Sequence, residues 1–195
     1  MKPRISMLLC MAGWLAASAA QAQSQTFELD PEHSFVQFEV RHFDTSTLRG
    51  RFGPLRGEVT IDPAAQRGQV GVAIDLRTLN TGFRPLDSRL KEADLLDITT
   101  QPTAYFVAER FRFENGHLAE VRGEFTLRGV GVPLSLRARR FACIGEPPQP
   151  RRCGGDFEGE LRRSDFGATF GLPLIADTVQ LRLQVEALQV PIPKP

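Results

Sequence analysis

Period-two alternation of apolar and polar residues is the feature that most limits what this chain can become. In Val36-Gln37-Phe38-Glu39-Val40-Arg41-His42 the even positions are apolar, until His42 takes the next place on that side. A repeat of two residues belongs to a strand with one face covered and one wetted. The pattern returns in Leu55-Gly57-Val59-Ile61, Val70-Val72-Ile74-Leu76 and Val121-Gly123-Phe125-Leu127. It returns again in Val132-Leu134-Leu136-Ala138, Phe157-Gly159-Leu161 and Val179-Leu181-Leu183-Val185-Ala187. Ala104 to Phe111 is apolar on both parities, so its faces stay unassigned. One-sided strands favour antiparallel partners over a buried parallel sheet. An all-β fold is predicted, an antiparallel barrel of about eight strands, with a two-sheet sandwich as the alternative.

One segment breaks the pattern. From Pro85 to Ile98, Leu86, Leu90, Ala93 and Leu96 recur at helical spacing, with Asp87, Arg89, Lys91, Glu92 and Asp94 opposite. A helix over 85–98 is predicted, lying across an opening or an edge of the sheet. Arg49 to Pro54 reads as a bend, Asn115-Gly116-His117 as a hairpin turn and Ala142 to Gly155 as a long loop. Glycine takes an inward place in Leu55-Arg56-Gly57-Glu58, Val121-Arg122-Gly123-Glu124 and Glu158-Gly159-Glu160. Inward glycine marks either a bend needed for closure or room for a ligand.

The N-terminus has the marks of an export signal. Lys2 and Arg4 precede a short apolar run from Met7 to Ala19, and Ala20-Gln21-Ala22 fits a cleavage site. Residues 1–22 are expected to be removed, leaving one domain over 23–190, a proline-rich tail over 191–195 and a periplasmic protein. Cys10 lacks the small neighbour of a lipid-anchor site, and no later segment is long and apolar enough to span a bilayer. Losing Lys2 and Arg4 brings the 24 basic residues just below the 23 acidic ones. That balance argues against a nucleic-acid partner, which usually calls for a clustered basic excess. Cys143 and Cys153 remain, and an even pair in an exported chain is expected to be a disulfide worth roughly 2–3 kcal/mol.

Several short motifs, taken in order, carry a resemblance to a known family. The match runs through His33-Ser34, Phe38, Val40 and His42, then Asp87, Leu90, Asp94 and Asp97, then Pro102 and Phe106. It continues in Gly123-Glu124-Phe125-Thr126-Leu127-Arg128-Gly129-Val130, Pro133-Leu134 and Arg163-Ser164-Asp165-Phe166-Gly167. In order and spacing these motifs resemble the YceI-like family of exported, lipocalin-like barrels that bind polyisoprenoid lipids, over about residues 26–188. Arg89 stands where the family often has histidine, Leu95 and Leu96 stand where it often has aromatic residues, and the cysteine loop is an addition.

The resemblance implies a binding protein without a cofactor whose partner is a long isoprenoid lipid, such as an isoprenoid quinone, held inside the barrel. Val36, Phe38, Val40, His42, Val59, Val72, Ile74, Phe125, Leu127, Leu136, Leu181 and Leu183 are then the expected wall, and the helix is the expected lid. His33, Asp87, Arg163 and Asp165 are candidates for a polar rim. His42 either hydrogen-bonds a carboxylate or carbonyl at the rim or orients the polar end of a ligand. His33 and Ser34 suit capping of the Asp30-Pro31 turn. Arg163 is expected in an ion pair with an acidic neighbour. No metal site is expected, because His33 and His42 are about 30 Å apart on a straight strand and zinc needs more ligands. Two rivals remain. A hydrolase would need His33 or His42 bonded to Ser34 or Ser164, although no nucleophile elbow surrounds Ser164. A pure interaction module would have a filled core.

Overall fold

The computed structural model describes residues 24–62, 64–146 and 149–191. The expected signal peptide and residues 192–195 of the expected tail lie outside the described residues. Ten strands follow one another: β1 (Gln25–Leu29), β2 (Phe35–His42), β3 (Ser46–Phe52), β4 (Arg56–Asp62), β5 (Arg67–Asp75), β6 (Thr103–Glu114), β7 (His117–Leu127), β8 (Val130–Ile144), β9 (Arg152–Arg162) and β10 (Ile175–Gln189). A 3-10 turn (Leu76–Thr78) and the helix α1 (Arg84–Leu90) stand between β5 and β6, and a second 3-10 turn (Arg163–Phe166) follows β9.

Eight of the strands close a ring. β1, β4, β5, β6, β7, β8, β9 and β10 are antiparallel neighbours in that order, and β10 returns to β1. β10 makes the closure possible because it is long enough to serve two partners on one edge. Its last residues pair with β1 (Leu29 opposite Ala187), while its first half pairs with β2 (Phe38 opposite Leu181). Between β1 and β2 the chain breaks step at Ser34. The buried Ser34 hydroxyl donates to the Glu186 carbonyl (3.0 Å) and accepts the Glu186 N–H (3.1 Å), replacing the missing ladder contact. Ser34 thus binds across to β10 instead of capping the Asp30-Pro31 turn. Beyond it β2 turns back into β3, and Arg51 on β3 pairs with Asn80 ahead of α1.

The hairpin turn at Asn115-Gly116 has both residues left-handed (φ 51° and 78°), the geometry that matches strand twist. Ala104, Phe106 and Ala108 face inward while Tyr105 and Val107 are exposed, which settles the faces of β6. Cys143 and Cys153 stand directly opposite each other and form a disulfide.

Three expectations change. Arg49 to Pro54 is mostly strand: Leu48, Gly50 and Phe52 alternate with Arg49 and Arg51, a row disguised by a glycine and two arginines. β8 and β9 reach further than read, so the cysteine connection is only 145–151. The helix is half its expected length, ending at Leu90. Arg89 doubly bonds Asp94 (2.7 Å each), the Leu96 N–H returns to the Leu90 carbonyl (3.1 Å), and Asp97 is left-handed (φ 50°). Residues 91–100 continue as turns, and Arg128 on the β7–β8 turn holds them by donating to the Ala93 and Leu95 carbonyls (2.7 and 2.6 Å).

The inward glycines are positions of close strand approach. A Cβ on Gly123 would overlap the Val107 carbonyl oxygen and the Ala108 side chain, one on Gly57 would overlap the Gly71 carbonyl, and one on Gly159 would lie 2.8 Å from the Ser135 carbonyl. They serve bending and closure, and the alternative of ligand room does not hold for them. Gly71 has open space around it. Gly123→Ala is therefore expected to lower unfolding free energy by about 2 kcal/mol through overpacking. Gly71→Ala should be neutral or raise it by up to about 1 kcal/mol. Urea melts of the two variants check this, and equal effects would contradict the assignment.

Candidate functional site

Inside the ring the apolar rows face one another around a lumen of two lobes. The lobe beneath α1 has a cavity volume of about 160 Å³, and the lobe toward the disulfide about 100 Å³. Phe106, Leu136 and Leu183 line both and form the waist between them. Of the twelve residues expected in the wall, eleven line the lumen, and His42, at the end of β2, does not. Val36, Phe38, Val40, Ile74, Phe125, Leu127 and Leu181 face the lobe beneath α1, Val59 and Val72 face the far lobe, and Leu136 and Leu183 sit at the waist.

Sequence reading missed several lining residues. Phe27 and Leu29 belong to β1, whose short alternation was overlooked. Phe111 belongs to the stretch whose faces the sequence leaves unassigned, and Phe141 lies beyond the recognised end of its strand. Leu90, Leu95 and Leu96 close the larger lobe, although only Leu90 is helical. Helical spacing did mark Leu90 and Leu96 as apolar, but the turn that aims Leu95 inward has no signal of its own.

Polar groups stay at the margins. Among the described residues, Arg163 and Glu186 are the only ionisable ones along the lining. Arg163 is buried, and its guanidinium donates to four carbonyls: Ala176 (2.9 Å), Ala168 (2.6 Å), Phe170 (2.8 Å) and Ile175 (2.8 Å). Among the described residues Arg163 does not make the expected ion pair: four of its five N–H donors go to these carbonyls and strap residues 168–176 to the barrel. Burial pushes the Arg163 pKa down, and the charge of Asp177 partly opposes this. Asp165 is exposed, 4.0 Å from Arg162. Asp87 accepts the Thr81 N–H (2.8 Å) and hydroxyl (2.7 Å), holding the turn before α1.

His42 lies outside both lobes, half-buried at the end of β2, its ring edge-on to Phe43 with centroids 4.4 Å apart. His33 sits where β1 breaks from β2. Its Nδ1 is 2.9 Å from Asp30, whose carboxylate also accepts from Arg152 (3.0 Å), and Arg152 donates to Glu186 (2.6 Å). Hydrogen bonds from His33 first and Arg152 second hold the Asp30 carboxyl below the usual carboxylate range. The Asp30, His33 and Glu186 ligand atoms lie within 4.8 Å of one another, but the Arg152 cation already occupies the space between the carboxylates.

The arrangement needed by a hydrolase is not assembled. Ser34 is committed to the Glu186 backbone, and the Ser164 hydroxyl donates to Asp177 (2.7 Å); neither has a histidine partner among the described residues. What the site can do chemically is enclose hydrocarbon.

The family model described as a YceI-like domain matches residues 27–187. Protein YceI of Shigella flexneri is 31% identical over 180 residues, covering 90% of this chain and 93% of that protein. Burkholderia cenocepacia BcnA superposes with a TM-score of 0.65 at 21% identity, over 81% of this chain and 98% of its own. A domain from Saccharophagus degradans described as polyisoprenoid binding, and implicated in plant cell wall breakdown, gives 0.62 at 19% identity over 85% and 99%. At such identities the two structures speak for the fold alone.

Two outcomes test the polar margins. Arg163→Met should cost about 3 kcal/mol in denaturant unfolding, since it strands four carbonyls, and Arg163→Lys should recover part of the loss. Losses below about 0.5 kcal/mol for Met would contradict the strap. For Asp30, a lowered folded pKa means its contribution is full above the ordinary value of about 4 and fades as pH falls through the folded value. Wild type should therefore lose stability below about pH 4 more steeply than Asp30→Asn, read from urea midpoints against pH; parallel curves would contradict this.

Proposed function

The chain belongs to the YceI-like domain family, and on that footing we propose that it is an exported, periplasmic carrier that sequesters a long-chain isoprenoid lipid, a binding protein rather than an enzyme. The observation that carries the proposal is a closed barrel whose lumen is lined almost wholly by hydrocarbon. Along β10 the lining runs from Val179 to Ala187. That is roughly 26 Å of strand, or about 20 Å along the axis of a barrel whose strands tilt by about 40°. A space so long and narrow suits an extended or once-folded chain.

The driving force is burial of apolar ligand surface. Each 100 Å² of chain removed from water contributes about 2.5 kcal/mol, before the losses of ligand freedom are subtracted. With no buried side-chain nitrogen or oxygen left unpaired among the described residues, a polar head group has little to bind inside and stays at an end of the barrel. The description of the Saccharophagus domain as polyisoprenoid binding supports a branched isoprenoid chain over a straight one.

The test is retention of a long-chain isoprenoid quinone through gel filtration. Wild type should retain close to one molecule per chain. Leu136→Trp fills the waist and should retain about tenfold less, the equivalent of 1.4 kcal/mol, with the strand signal in circular dichroism unchanged. Equal retention by both proteins, or none by wild type, would overturn the proposal.

A further inference from the structure

We propose that the end of the barrel covered by α1 docks on a lipid bilayer through an apolar rim of loop side chains. The inference rests on the carrier function just given, and names the surface from which the chain is taken up. Phe43, Phe83, Val130, Phe170, Leu172 and Leu174 are all exposed, Phe83 and Leu174 each to 61%. Large exposed apolar groups clustered on one surface usually mark an interaction site.

Contacts join the turns that carry them. The Phe43 N–H donates to the Leu174 carbonyl (2.8 Å). The Arg89 guanidinium of α1 stacks 4.1 Å from the Phe170 ring centroid. Arg128, two residues before Val130, donates to the carbonyls of Ala93 and Leu95. Leu90, Leu95 and Leu96, from the same segment, line the larger lobe, so the rim continues into the lumen.

Charge and shape favour a bilayer as the occupant. Arg41 pairs with Asp44, Arg89 with Asp94 and Glu92, and Arg162 with Asp177, so much of the charge beside the rim is neutralised. The apolar side chains stand on separate turns, a form suited to penetrating an interface rather than matching a flat partner. Burial of apolar area, with little help from anionic lipid, then sets the affinity.

Flotation with phosphatidylcholine vesicles, with and without phosphatidylglycerol, tests this. The double variant Phe83→Ser, Leu174→Ser removes two rim side chains that do not line the lumen, and serine suits the helix-capping place of Phe83. Wild type should float with both vesicles, and remain bound in about 1 M salt, where screening acts over roughly 3 Å. The variant should float about tenfold less while retaining the same isoprenoid load. Binding that requires phosphatidylglycerol and is lost in salt would overturn the proposal, as would no flotation of wild type. Self-association in sedimentation velocity that the variant abolishes, without vesicle binding, would assign the rim to a second copy and overturn it as well. Flotation of a wild-type protein that retains no isoprenoid would uphold docking while removing the carrier function.

Discussion

Closure of the sheet through β10 is the constraint on which everything else depends. An antiparallel sheet leaves two edges with unpaired backbone groups, and a barrel removes them only if its first and last strands meet. Here β10 meets β1 at one end and β2 at the other. The switch between them requires a break in step, and the Ser34 hydroxyl fills it by taking both backbone groups of Glu186. Beside that break, Asp30, His33, Arg152 and Glu186 form one hydrogen-bonded network. His33 and Ser34 look like functional residues in the sequence, yet both serve closure.

Once the ring is closed, chain chemistry decides what lies inside. The same alternation that wets the outer face puts valine, leucine, isoleucine and phenylalanine on the inner one. Eight strands enclose a space near the limit that side chains can fill. The inner glycines do not enlarge it, because backbone already approaches them closely. Room is left instead where facing rows fail to meet, above and below the waist of Phe106, Leu136 and Leu183. Arg163 shows how polarity is kept out: its guanidinium is committed to four carbonyls, two in the loop before β10 and two at the start of β10.

The wall was legible in the sequence because inward parity is a local property of a strand. Val36, Phe38 and Val40 announce their face without knowledge of any partner. Pairing across the ring is not local, so nothing in Phe27 or Leu29 alone signals that β1 closes the barrel. β3 was hidden because Gly50 faces the Phe38 ring, where a side chain has no room, and so interrupts the apolar row. The helix was overextended because Leu96 keeps helical spacing while Arg89 and Asp94 fold the intervening backbone into turns. For Arg163 a sequence shows the nearby carboxylates that suggest an ion pair, but not the carbonyls that the fold brings together around it.

The central claim is that this lumen holds a single long hydrocarbon chain. Native mass spectrometry of the protein released from its own cells, before any exposure to solvent or detergent, addresses it most directly. A discrete added mass equal to one polyprenyl species, lost on organic extraction and recovered in the extract, is the expected result. A spectrum showing only the bare polypeptide mass, or only phospholipid in the extract, would contradict it.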